Sequence, residues 1–263
     1  MPNMVCPATR MLSVRAVRRR AVGVMVAAMI GGCAPATAAQ PIIDDFSGTD
    51  GLIASSGQPA EESPWVMTSG TLIRSSNHGW TGRPDDGRNQ GENGSAVFRM
   101  VSTQRGFGDV DIRLQLRVDD LVHTPRTPAQ DFDGAHVWVR YESEEQLYAI
   151  SVDRRDGVMV IKKKCAGGPS NGGRYVELAP PLEGRPILFG RWQTVEVAVR
   201  DLADGSVRIT ARRDGWQITA VDRGLGCAPL RGPGGVGIRG DNAELRLDDV
   251  SVQPRLDMAR DGA

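Results

Sequence analysis

Residue types that handle sugars recur along "AHVWVRYESEEQLYAISVDRRDGVMVIKKK" (Ala135–Lys164): an indole, a histidine and several cations. Alternation along a strand sends every second side chain to the same face. If Val137, Val139, Tyr141, Tyr148, Ile150, Val152, Met159 and Ile161 face a core, the other side carries His136, Trp138, Arg140, Lys162 and Lys164, with Ala149, Ser151 and Asp153 among them. The C–H face of a sugar ring stacks on indole, its hydroxyls meet fixed donors and acceptors, and a cation suits a uronate carboxylate. Trp138, Arg140, Lys162 and Lys164 are therefore the expected ligand contacts, with Arg113 and Gln115 of "DIRLQLRV" (Asp111–Val118) on an adjoining strand. A plain solvated face competes with this reading. Lys and Arg keep exposed strands soluble, and Trp138 would become core if residues 120–135 folded over it.

Turn chemistry sets the register of this stretch. Asp156-Gly157 predicts a tight hairpin with Ser151 opposite Lys162 and Ala149 opposite Lys164. A second turn at Glu144-Glu145 sets Tyr141 opposite Tyr148 and Val139 opposite Ile150. The two registers agree on one core face, and a slip of one residue would destroy that agreement. Elsewhere the same alternation recurs between Gly, Asp and Asn breaks. In "DIRLQLRV", Ile112, Leu114, Leu116 and Val118 face one way; "QTVEVAVRD", "GSVRITARRDGWQITAV" and "AELRLDDVSV" repeat the pattern. No segment spaces its apolar residues for a helix of three turns. The expected fold is an all-β, two-sheet antiparallel sandwich over residues 42–252.

"FGRWQTVEVAVRDLADGSVRITARRDGWQI" (Phe189–Ile218), with "IIDDFSG" near the start and "LRLDDVSV" near the end, resembles the concanavalin A-like lectin/glucanase superfamily, which includes laminin G-like domains. The resemblance covers most of residues 42–252. It implies a jelly roll with its terminal strands side by side, and it leaves function open, because that fold carries lectins, hydrolases and lyases. Hydrolases of the superfamily use a carboxylate set such as Glu-x-Asp-x-Glu on one strand. Here Asp109 and Asp111 share a face without a third member. Its lyases use a Tyr or His base with Arg or Gln to neutralise a uronate. His136, Arg140, Arg113 and Gln115 supply the residue types, but the lyases' Gln-x-His and Tyr-x-Lys-x-Gly signatures are absent. His136 and Arg140 are the catalytic candidates, against the commoner structural role of a single strand histidine. Ser-His-Asp catalysis has no nucleophile-elbow signal. The resemblance also implies a structural calcium at the paired termini, with Asp45 and Asp249 as ligands beside Asp44 and Asp248. Acids that merely solubilise a strand edge are the competing reading.

The first 32 residues read as an export signal. Arg10, Arg15, Arg18, Arg19 and Arg20 precede the apolar run Ala21–Ile30, which at roughly 10 residues falls short of the about 20 needed to span a bilayer. "IGGC" resembles a bacterial lipobox, with Cys33 as the lipidated first residue, and "ATAAQ" offers ordinary cleavage instead. Residues 33–41 would then be a flexible tether and 253–263 a disordered tail. The whole chain has 32 basic and 32 acidic residues; without residues 1–32 the net charge is −5. That argues against nucleic acid as a partner. Cys165 and Cys227 remain in the globular part, and an even pair in an exported chain reads as a disulfide. The expectation is a monomeric, exported jelly-roll lipoprotein. It binds a poly- or oligosaccharide on one sheet face and meets the membrane only through an N-terminal lipid. An enzyme of the same fold and an inert envelope protein are the alternatives.

Overall fold

The computed structural model describes residues 39–57, 63–85 and 94–255. Residues 1–32, Cys33 and the tail 256–263 lie outside them. In chain order the strands are β1 (Ile42–Asp44), β2 (Gly51–Ser55), β3 (Trp65–Ser69), β4 (Thr71–Ser75), β5 (His78–Trp80), β6 (Pro84–Asp85), β7 (Gly94–Ser95), β8 (Val97–Ser102) and β9 (Val110–Leu121). They continue as β10 (Gly134–Ser143), β11 (Gln146–Arg154), β12 (Val160–Gly168), β13 (Gly172–Glu177), β14 (Gln193–Asp201), β15 (Val207–Arg213), β16 (Trp216–Asp222), β17 (Gly235–Asp241) and β18 (Ala243–Pro254).

Two antiparallel sheets pack face to face. One runs β16-β15-β14-β9-β18-β5-β4-β2, with β1 paired to β18; the other runs β13-β12-β11-β10-β17-β8-β3. The fold is the expected all-β, concanavalin A-like jelly roll. Its terminal strands lie side by side, with Ile42 opposite Val252. Alternation explains the core. Ile112, Leu114, Leu116 and Val118 of β9, Val195, Val197 and Val199 of β14, and Leu245, Leu247 and Val252 of β18 all point inward and are buried. Burial of such side chains is the main force holding the sheets together. The boundaries differ slightly from expectation. Ala39 is buried and the Gln40 N–H donates to Gln104 Oε1 at 2.9 Å, so the presumed tether packs before residue 42. At the other end β18 runs through Pro254, past the expected limit at 252.

The meander β10–β11–β12 forms, with two corrections of register. The turn at Glu144-Glu145 is present, since Ser143 pairs with Gln146. Asp156-Gly157 turns the chain as expected, with the Gly157 N–H donating to the Arg154 carbonyl at 2.9 Å. The connection is longer than two residues, however, because Met159 leaves the hairpin to pair with Leu182. Ala149 therefore faces Lys162 and Ser151 faces Val160. That shift is two residues, so the parity of inside and outside survives. Bulges account for the rest. Near Gly134, Asp153 pairs with Ala135 and Ser151 with His136, which leaves Val152 extra; Asp153 turns inward, out of the outer row expected for it. Gly134 takes φ 139°, and a Cβ there would stand 2.1 Å from the Asp153 carbonyl oxygen, so only glycine fits. The second bulge follows Val139, where Arg140 has φ 51°.

That second bulge swaps two residues. Tyr141, expected in the core, emerges on the outer face and stacks on Trp138, ring centroids 5.6 Å apart. Arg140, expected outside, turns between the sheets and donates to Asp109 and Asp201 at 3.1 Å each. Two more buried ion pairs cross the sandwich: Arg213 with Asp153, and Lys163 with Asp222 at 2.9 Å. Cys165 and Cys227 form the expected disulfide, Cα atoms 6.0 Å apart. It ties β12 to the loop after β16. Cys165 stands opposite Arg174 on the β13 side, and on the β11 side Tyr148 faces Lys163.

Candidate functional site

The outer face of the seven-stranded sheet carries a pocket of about 150 Å³. Ala149, Ser151, His136, Trp138 and Lys162 come from the meander, Arg239 and Asp241 from β17, and Tyr175 from β13; Phe132, Arg154 and Ser170 complete the rim. Adjacent strands set these groups in rows. His136 stands opposite both Ser151 and Arg239, and Trp138 opposite both Ala149 and Gly237. Gly237 has its own reason: a Cβ there would lie 2.5 Å from the Met100 carbonyl oxygen.

A polar chain crosses the floor. His136 Nδ1 lies 2.8 Å from Ser151 Oγ. His136 Nε2 lies 3.2 Å from Asp241 Oδ2, in a contact bent away from the N–H direction. Arg239 donates to the other carboxylate oxygen, Asp241 Oδ1, at 2.7 Å. Burial alone would raise the Asp241 pKa; the Arg239 charge and the contact with His136 outweigh it and hold the group at about 2. For His136 burial wins, so its pKa falls below the usual value and the ring is neutral. The walls are cationic. Lys162 is half-buried, 3.4 Å from Glu177. Arg154 pairs with Asp156. The Tyr175 hydroxyl is 3.4 Å from Arg239 Nη1. Phe132, 42 % exposed, is the one open aromatic ring on the rim.

The expected site residues divide. His136, Trp138 and Lys162 meet in this pocket. Lys164 shares their face but is sealed: its ammonium donates to the Glu144 carbonyl and lies 5.2 Å from the Tyr175 ring, and it is 2 % exposed. Trp138 is no open platform. It is 2 % exposed, packed with Tyr141, Val101, Leu147 and Ala149 in a small second core. Arg140 lies between the sheets, for the reason given above. Arg113 and Gln115 belong to β9 in the other sheet, so they lie on the opposite outer face. There Arg113 pairs with Glu196 at 2.5 Å and Gln115 with Thr194 at 3.1 Å. That face has its own depression, of about 550 Å³, in which Arg113, Arg212 and Arg255 already meet Glu196 and Asp111. Among the described residues no three His, Cys, Asp or Glu side chains are placed to hold a metal ion. The expected calcium ligands Asp45 and Asp249 form no such group. The Asp45 carboxylate instead accepts the Ser47 N–H at 2.9 Å.

Sequence reasoning missed Tyr175, Arg239, Asp241, Phe132 and Arg154. One signal was available. In "VGIRGD" two charged residues at i and i+2 share a strand face while glycines surround them, an arrangement that serves no apolar core.

Fold and site together define a class: a concanavalin A-like jelly roll with a small, polar, cation-walled pocket on one outer sheet face. No protein-family model matches the chain, and no curated protein sequence does. Among solved structures the chain is similar to β-agarase B from Zobellia galactanivorans, at 10 % identity over 81 % of this chain and 91 % of that one, with a TM-score of 0.54. It is also similar to the carbohydrate-binding module CBM66 from Bacillus subtilis (14 % identity, 73 % and 97 % covered, TM-score 0.49). A third is the exoplasmic/lumenal domain of VIP36 in its calcium-bound form (12 % identity, 82 % and 90 % covered, TM-score 0.46). At 10 % identity the likeness to β-agarase B is one of fold.

Proposed function

We propose that this chain is an exported protein that binds an acidic glycan in the pocket between Phe132, Lys162, Tyr175 and Arg239. The carrying observation is the pocket's lining: the cations Arg154, Lys162 and Arg239 face the cavity with one lining carboxylate, Asp241, while Asp156 and Glu177 pair with Arg154 and Lys162 from outside it. Cations set around a polar floor suit a carboxylate and its neighbouring hydroxyls. At about 150 Å³ the cavity is small beside the roughly 300–1,000 Å³ of pockets that enclose drug-sized ligands. It therefore suits the end of a chain, with one ring seated and the next against Phe132. Elimination of a uronate needs a histidine nitrogen free to take a proton from the sugar. His136 Nδ1 already faces the Ser151 hydroxyl at 2.8 Å, and Arg140, the expected cation for a uronate, lies between the sheets with Asp109 and Asp201, which favours binding over a lyase.

Affinity electrophoresis in gels containing polygalacturonate, alginate or a neutral glucan tests this. Lys162→Ala should weaken retention on the uronate gels about tenfold, the worth of one charge-assisted hydrogen bond, and leave the neutral gel unaffected. Equal retention of parent and variant would remove Lys162 from the site. The anchoring part of the reading rests on residues 10–33. Cys33→Ser should move the protein from the membrane fraction to the soluble one. An unchanged membrane fraction, or a mature protein beginning at Ala39 or Gln40, would contradict the lipid anchor.

A further inference from the structure

Three residues of the pocket floor stand in the order of a nucleophile, a base and a group that orients the base. We propose that Ser151, His136 and Asp241 hydrolyse a short acyl ester carried on a sugar hydroxyl. The substrate class rests on the glycan reading above; the chemistry rests on the geometry of these three side chains alone.

Asp241 Oδ2, 3.2 Å from His136 Nε2, places the ring proton on that nitrogen. Nδ1 is then the acceptor, and its 2.8 Å neighbour is the Ser151 hydroxyl, so that hydroxyl donates to it. The carboxylate cannot swing away, because its second oxygen accepts from Arg239 at 2.7 Å. The same arrangement of roles recurs on unrelated folds and is recognised by geometry, not by residue order. Substrate binding should straighten the bent His136–Asp241 contact, since catalytic hydrogen bonds tighten in the reacting complex. A base must be neutral to work, and burial keeps His136 neutral. Each residue sits on a different strand of one sheet (β11, β10 and β17), a support that holds their separations rigidly.

The pocket also provides for the rest of the ester. Ala149 lies two positions from Ser151 on the same strand face and leaves room for a methyl group. Lys162 and Arg154 line the same cavity and supply positive charge for an oxyanion. In the first step Ser151 Oγ bonds to the ester carbonyl carbon while its proton passes to His136 Nδ1. The bond from that carbon to the sugar oxygen then breaks, and the sugar oxygen takes the proton from Nδ1. In the second step water attacks the acyl-serine and gives a proton to Nδ1. The carboxylic acid leaves, and Ser151 Oγ recovers that proton. Ester and water become acid and alcohol, with no oxidant, metal or cofactor consumed.

The full chain should be treated with a fluorophosphonate probe and, separately, with 4-nitrophenyl acetate. The expected result is a phosphonyl group on Ser151 by peptide mass spectrometry and acetate release that falls at least about 100-fold in Ser151→Ala. Asp241→Asn, checked for folding by circular dichroism, should slow release comparably. Ser151→Cys is the companion variant if Ser151→Ala folds poorly: its thiol should be alkylated by iodoacetamide faster than free cysteine. The proposal is overturned if Ser151 stays unlabelled and a folded Ser151→Ala protein releases acetate at the parent rate, or if the Ser151→Cys thiol is alkylated no faster than free cysteine. The probes contain no sugar, so the two readings fail separately. Hydrolysis without glycan retention leaves the relay standing, and retention without labelling leaves only the binding site.

Discussion

Lys163→Ala is expected to lose about 3–5 kcal/mol of stability, the cost of leaving one member of a buried ion pair uncompensated. Alternation in "VIKKK" sends Lys162 and Lys164 outward and Lys163 inward, and both Lys163 and Asp222 are fully buried. The pair joins the two sheets, since Lys163 is on β12 and Asp222 on β16. Every partner is in place. The ammonium donates to Asp222 Oδ1 at 2.9 Å and to the Cys227 carbonyl at 2.5 Å. Tyr148 donates to Asp222 Oδ2 at 2.6 Å and accepts from the Leu230 N–H at 2.9 Å. Burial and the hydrogen bond to Asp222 push the Tyr148 pKa far upward, so it stays a donor. Alanine would leave the buried Asp222 charge without its cation and remove the bond to the Cys227 carbonyl, while the disulfide still held that loop. Lys163→Met with Asp222→Leu removes both charges and should recover part of the loss. Urea denaturation measures the difference; a loss under about 1 kcal/mol in the single variant would show that the network contributes little.

Trp138→Ala is expected to cost a similar amount, about 3–5 kcal/mol, the range for a truncated core aromatic. Its indole packs against Tyr141, Val101, Leu147 and Ala149. The Arg239 guanidinium lies 5.8 Å from its ring centroid. The residue holds the pocket floor, so any loss of glycan retention in this variant would follow from collapse. Phe132→Ala makes the contrast. At 42 % exposure its removal should change stability by no more than about 0.5 kcal/mol while weakening retention. A melting temperature equal to the parent's in Trp138→Ala would show that the indole is not structural.

The parts of the fold that follow from strand parity were legible in the sequence. Ile112, Leu114, Leu116 and Val118 face inward as their alternation requires, and the outer placement of His136, Trp138 and Lys162 survived a two-residue error in register because the strand period is two. The Cys165–Cys227 pair was legible for a different reason: only two of the four cysteines stand beyond residue 33. What failed was non-local or conformational. A bulge at Arg140 depends on one positive φ angle, which an arginine does not advertise, and it exchanged Arg140 with Tyr141 between the two faces. Strand alternation alone does not tell whether Arg113 and Gln115 adjoin the meander. The chain in fact passes from one sheet to the other between β9 and β10, and β9 pairs with β14 and β18. Tyr175, Arg239 and Asp241 reach the site from strands far along the sequence, and no local pattern tells which strands will be neighbours.

Titration of isotope-labelled protein with a short oligogalacturonate, followed by amide and side-chain chemical shifts, tests the binding site most directly. The account predicts saturable shifts gathered on the outer face of β10, β11, β12 and β17, at His136, Ser151, Lys162 and Arg239, with the surroundings of Arg113 and Gln115 unmoved. Shifts centred on the outer face of β9 and β14, or none with acidic and neutral oligosaccharides alike, would contradict it.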